Sequence, residues 1–156
     1  METLLAIKFA TSLMRAVLLG MLANVLLFTV ACAQTAEPVM VAIAYPATSE
    51  ESIPRASLRA ILGMRLQKWP ADTPVKVFVL KDDSPEHATF SKTVLQVFPH
   101  QLRMAWDRQV FSGQGQYPEQ LGSTQEMLSR IASTPGAIGY VKASEVNRNV
   151  RVFRIR

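Results

Sequence analysis

Cysteine is nearly absent from this chain: its 156 residues hold one, Cys32. Histidine is almost as scarce, with only His87 and His100. A thiolate metal site needs several cysteines, and an imidazole site needs ligands in compact spacing. His87 and His100 stand thirteen residues apart on separate predicted helices, and the Asp/Glu spacings complete no cation-binding signature. No metal and no cofactor is expected. Glycine is thin as well. Gly113 and Gly115 lack the rest of a phosphate-cradling fingerprint and the Lys-Ser/Thr that would follow it. No G-x-S-x-G elbow exists. A serine hydrolase would have to combine Ser84 or another serine with one of two histidines and any of several acids. So many such combinations can be written that enzymatic activity is not expected. Arginine and lysine do not alternate with aromatics. Arg148, Arg151, Arg154 and Arg156 lie at the extreme end, as a solvated strand face would place them, and no nucleic-acid partner is expected.

What the chain does have begins with a leader. Lys8 and Arg15 precede an apolar run from Ala16 to Ala33, interrupted by Asn24 and Thr29. With Ala31-Cys32-Ala33 at its end, this fits a secretory signal peptide over residues 1–33, transiently in the membrane, and a periplasmic domain over 34–156. A retained membrane helix is the alternative, since the run is close to the roughly 20 apolar residues that span a bilayer. Lipidation at Cys32 is another, although Thr29 stands where such signals place a branched apolar residue. Cleavage after Ala33 is preferred. Loss of Lys8, Arg15 and Glu2 then takes the net charge from +5 to +4, a weak bias toward anionic partners.

The chain is organised around Val75 to Val97. Val75–Leu80 is an apolar, β-branched run that predicts a strand. Lys81-Asp82-Asp83 breaks it. Ser84 is a candidate helix N-cap, with Pro85 at the first helical position. Phe90, Val94, Leu95 and Val97 continue at mostly helical spacing. Such a junction leaves backbone N–H groups that an anion can hold or the cap alone can satisfy. Ser84 and the N–H groups of Glu86 and His87 are therefore candidate anion-binding groups. The charge of Glu86 would compete with that anion.

Around this stretch, Val39–Tyr45 is apolar on both parities and predicts a covered strand. Pro46 ends it, and the polar loop after it offers Thr48 and Ser49 as further oxyanion donors, or as simple turn residues. Ser57 is a candidate cap for a helix carrying Leu58, Ile61 and Leu62, with Gly63 near its end. Trp69 reads as a packing anchor. Pro99 opens a helix with Leu102, Trp106 and Val110. Ser123 and Glu126 form a capping box for the last helix. Ala137–Val141 predicts a strand, and Val150–Arg156 alternates as one half-exposed edge strand.

Several fragments, in order, carry a resemblance. Ser57-Leu58-Arg59-Ala60-Ile61-Leu62-Gly63, the Trp69–Val75 turn, the Ser84–Phe90 helix start and Thr134-Pro135-Gly136-Ala137-Ile138-Gly139-Tyr140-Val141 follow one another. Together they resemble the periplasmic phosphate-binding proteins of ABC transporters, over roughly Val39 to Val152. The resemblance implies an α/β domain of the type II periplasmic-binding-protein kind, a mixed sheet with about four flanking helices. It implies binding of phosphate or a similar oxyanion, and an ABC permease or another periplasmic protein as partner. At the ligand motif only Ser84 is kept. Pro85 stands at a glycine position, Glu86 at a threonine position, and His87 where the larger receptors often have arginine. A second expectation follows from Pro85 and Glu86: an accessory or interaction domain that keeps the scaffold and has lost the anion.

Overall fold

The computed structural model describes residues 37–156, so the leader reading of residues 1–33 and the Cys32 question lie outside the described residues. The elements are β1 (Met40–Ala44), β2 (Ser52–Ile53), α1 (Arg55–Leu62), β3 (Lys76–Leu80), α2 (Pro85–Phe90) with a π turn at Ser91–Leu95, α3 (Pro99–Phe111), β4 (Glu119–Leu121), α4 (Thr124–Ser133), β5 (Ala137–Lys142), β6 (Arg151–Val152) and β7 (Arg154–Ile155). Five strands make a mixed sheet in the order β4-β3-β5-β1-β6. β3 runs parallel to both β4 and β5, while β1 is antiparallel to β5 and β6. The expected α/β class and mixed sheet with flanking helices are what the chain adopts.

Apolar character on both parities places β1 inside the sheet, with only Val41 half-buried. Alternation on β5 divides the two faces. Gly139 faces Met127 and Ile131 of α4, while the Tyr140 ring stacks on Phe90 of α2, centroids 4.1 Å apart. Helices therefore cover both sides of the sheet, and Tyr140, Phe90, Ile43, Met127, Ile131 and Trp106 are fully buried between them. Trp69 is the packing anchor expected. Its Nε1–H donates to the Gly136 carbonyl at 3.0 Å and its ring packs against Phe153.

Three expectations need correction. α1 begins at Arg55 after Pro54, without a side-chain cap, rather than at Ser57. Its first-turn Arg55 N–H is met from outside by the Arg156 carbonyl, so no serine cap is required. The helix at Pro85 widens into a π turn after Phe90. Phe90 and Leu95, both buried, are five residues apart, and a π turn keeps that spacing on one side. The Arg55 and Arg59 guanidinium groups close its end on the Val94 and Leu95 carbonyls at 3.0 and 2.5 Å. The C-terminal strand splits at Phe153. That ring turns into the core, breaking the alternation, so β6 stays on the main sheet while β7 pairs in parallel with β2.

Register fixes the two ends of the sheet. Ala44 lies opposite Ile138, and Lys76 opposite Ala137, which puts Tyr45 and Gly136 at one end. Met40 lies opposite Lys142, which puts the start of β1 and the exits of β3 and β5 at the other.

Candidate functional site

β3 and β4 are parallel, so their carboxyl ends open onto the same side, and each leads into a helix start. Between them is a cleft of about 310 Å³, lined by Leu80, Lys81, Asp83, Ser84, Glu86 and the Gly122–Thr124 turn. The carboxyl edge of parallel strands is where open α/β sheets bind ligands, because strand-to-helix turns present N–H groups there.

On the β3 side, Ser84 caps α2, its Oγ accepting the His87 N–H at 3.1 Å. The Ser84 hydroxyl proton goes to Glu86 Oε2, also at 3.1 Å. Glu86 Oε1 meets Lys142 Nζ at 2.8 Å, and Glu145 stands 3.9 Å from the same ammonium. The Lys142 bond, followed by the backbone N–H of Glu86 and the Ser84 hydroxyl, holds the Glu86 carboxyl below its ordinary range despite its partial burial. Lys142 is correspondingly raised. A carboxylate of the chain itself thus takes up the Ser84 hydroxyl and the Lys142 ammonium. Asp82 turns away to Arg103 of α3 and to Gln120, leaving Asp83 on the cleft.

On the β4 side, Ser123 Oγ accepts the Glu126 N–H at 3.1 Å, as the capping pattern predicts. Glu126 answers one residue earlier than the standard box, accepting the Gly122 N–H at 2.8 Å. The amides of the first turn, Thr124 and Gln125, have no intrahelical acceptor. They and the Lys81 ammonium are the donors an incoming anion would meet with least competition.

Ser84 and Glu86 share the cleft. The imidazole of His87 does not line it. His87 is 1% exposed, and its Nδ1 lies 2.6 Å from the Tyr140 hydroxyl. That hydroxyl oxygen accepts the Leu80 N–H at 2.9 Å, and in the Nε2–H tautomer of His87 its own proton is donated to Nδ1. Burial holds His87 below the ordinary imidazole range, outweighing Asp82, and pushes the Tyr140 phenol up. Leu80 precedes the Ser84 turn and His87 follows it, so Tyr140 pins both of its ends. Thr48 and Ser49 are at the opposite end of the sheet, in another cavity, and share no site with Ser84.

Sequence reasoning missed Lys81 and the α4 start as parts of one cleft, and Lys142 as the partner that holds Glu86. The capping pattern at Ser123 was legible. Its meeting with Ser84 depends on β4, three residues of which only Leu121 is buried. Among the described residues, no group of three or more His, Cys, Asp or Glu is arranged to hold a metal ion.

The PBP superfamily domain matches residues 36–153. Among curated proteins none matches the sequence. Three solved structures are similar in fold. A protein of Clostridium perfringens, described as a phosphate ABC transporter substrate-binding protein and solved with bound phosphate, superposes with a TM-score of 0.62 at 15% identity. The match covers 76% of this chain and 45% of that one. An ABC-type phosphate transport receptor of Vibrio cholerae gives 0.61 at 12%, covering 76% and 47%. PstS of Borrelia burgdorferi gives 0.59 at 17%, again covering 76% and 47%. At these identities the likeness is one of fold, and the match spans less than half the length of each neighbour.

Proposed function

The chain belongs to the PBP superfamily, and from that premise we propose that it binds phosphate or a related oxyanion in the cleft between Ser84 and Ser123. In this reading it works outside the cytoplasm as a substrate-binding component of an ABC transporter, with a permease as its partner. The observation that carries the reading is the convergence of two serine-capped helix starts and Lys81 at the ends of parallel β3 and β4. The net charge of +5 supports it. Phosphate-binding names among the structural neighbours support it as well.

One observation favours a second reading, an accessory domain that keeps the scaffold without the ligand. The Glu86 carboxylate already holds the Ser84 hydroxyl and the Lys142 ammonium. Calorimetric titration of the protein with phosphate and sulfate separates the two. The first reading expects saturable heat at or below millimolar phosphate, weakened about tenfold or more in Ser84→Ala and strengthened in Glu86→Gln. No heat in either the wild type or Glu86→Gln would refute it and leave the accessory reading standing.

A further inference from the structure

The loop after β1 has a cavity of its own, about 260 Å³, at the sheet end away from Ser84. Tyr45, Thr48, Ser49 and Thr73 are its hydroxyl-bearing lining residues. Glu50 is the one charged residue among its lining residues. Its hydrogen-bond partner is the neighbouring Ser49 hydroxyl at 3.0 Å, and among the described residues no cation pairs with it. In a chain of net charge +5 this half-buried carboxylate makes the cavity locally negative. The same hydroxyls that read as oxyanion donors in sequence thus surround a carboxylate in space. An anion entering here would meet repulsion with no ammonium to offset it.

A second hollow, of about 220 Å³, adjoins the first and shares Glu50 and Trp69 with it. Its further walls are largely apolar, with Ile53, Ile61 and Leu66 among them. Leu66 is 41% exposed. Lys68 and Arg156 also line this hollow and would repel a cationic group. Lys68 is paired with Asp72 at 2.7 Å. A ligand bridging both hollows would therefore put its positive end beside Glu50 and its apolar end toward Ile61 and Leu66. Trp69 lines both hollows, fixed by its Nε1–H bond to Gly136 and by Phe153.

We propose that these joined cavities form a second binding site, independent of the oxyanion cleft, for a small primary alkylammonium compound. The ammonium donates to Glu50 and to the Thr48 and Thr73 hydroxyl oxygens. The alkyl group leaves water against the apolar hollow.

Tryptophan fluorescence tests this, because Trp69 lies at the site and Trp106 is sealed in the core. The protein is titrated with n-butylammonium chloride, with sodium chloride and n-butanol as controls. A saturable millimolar response is expected to n-butylammonium alone, weakened about tenfold or more in Glu50→Gln. Thr73→Val, a surface change, is expected to weaken it several-fold and serves should Glu50→Gln fail to fold. No saturable response, an equal response to n-butanol, or wild-type affinity in the folded variants would overturn the proposal.

Discussion

Replacing Tyr140 by Phe removes one oxygen from the centre of the molecule. The ring stays, and with it the stacking on Phe90, so almost no volume is lost. Two buried groups lose their partner at once: the Leu80 N–H and His87 Nδ1. Tyr140 is 0% exposed and His87 1%, which leaves water no easy replacement role. Leaving a buried polar group unpaired costs about 1–3 kcal/mol, so the pair together predicts a loss of about 2–6 kcal/mol. The described domain, residues 37–156, has 120 residues. At about 2.1 cal/mol/K per residue its unfolding entropy is ~0.25 kcal/mol/K, which converts the loss to about 8–24 °C in Tm. Calorimetry or a far-UV melt reads this directly. His87→Asn, whose amide oxygen can still accept from Tyr140, should be milder. In the Tyr140→Phe background its effect should shrink, a coupling of about 1 kcal/mol or more. A drop in Tm under about 2 °C, or strict additivity of the two changes, would refute the network as a source of stability.

Two further outcomes follow from the same core. Burial lowers the folded pKa of His87 from 6.5, so the unfolded chain takes up that proton first. Stability from this group is full above about pH 6.5 and falls as pH drops through the folded pKa, by at most about 1.4 kcal/mol per pH unit. Urea midpoints measured from about pH 8 to 5 check this, and a profile flat below pH 6.5 contradicts it. Glu86, also lowered, loses its share only below its ordinary 4.5, outside the range of about pH 8 to 5 of that measurement. Gly139→Ala pushes a methyl group to 2.5 Å from Met127 Sδ and 2.7 Å from Ile131 Cδ1, an overpacking worth about 1–3 kcal/mol. Adding Met127→Ala should relieve part of the strain, and a double variant no better than the sum of the singles would place the strain elsewhere.

Much of the scaffold was legible because it rests on local chemistry. Ser84, Pro85, Ser123 and Glu126 announce helix starts through hydrogen bonds spanning three or four residues, and those bonds form. β1 and β5 announce buried strands by composition. Legibility fails where a distant segment supplies the deciding partner. α1 starts early because Arg156, a hundred residues away in the chain, meets its first amide. The last strand breaks because Trp69 offers Phe153 a place in the core. His87 reads as a site residue from its position beside the cap, and its backbone N–H does join that cap. Its ring is claimed by Tyr140, which no local pattern could have told.

The two candidate loops make the same point about function. Both follow a strand, both offer hydroxyl groups, and on sequence both suggest an oxyanion. In space their electrostatics part. At the Ser84 end, the carboxylate of Glu86 is met by Lys142, arriving from the end of β5, and Lys81 stands on the cleft beside them. Displacing that carboxylate would leave hydroxyl, ammonium and first-turn amides on the cleft, with Asp83 as its remaining carboxylate. At the Thr48 end, Glu50 has only a neighbouring serine as hydrogen-bond partner, and Lys68 and Arg156 of the adjoining hollow form no ion pair with it. Donor hydroxyls suit either sign of ligand, since each can also accept. The nearest full charges decide. They leave the first cleft open to an anion on condition that Glu86 yields and Lys81 offsets Asp83, and they turn the second toward a cation.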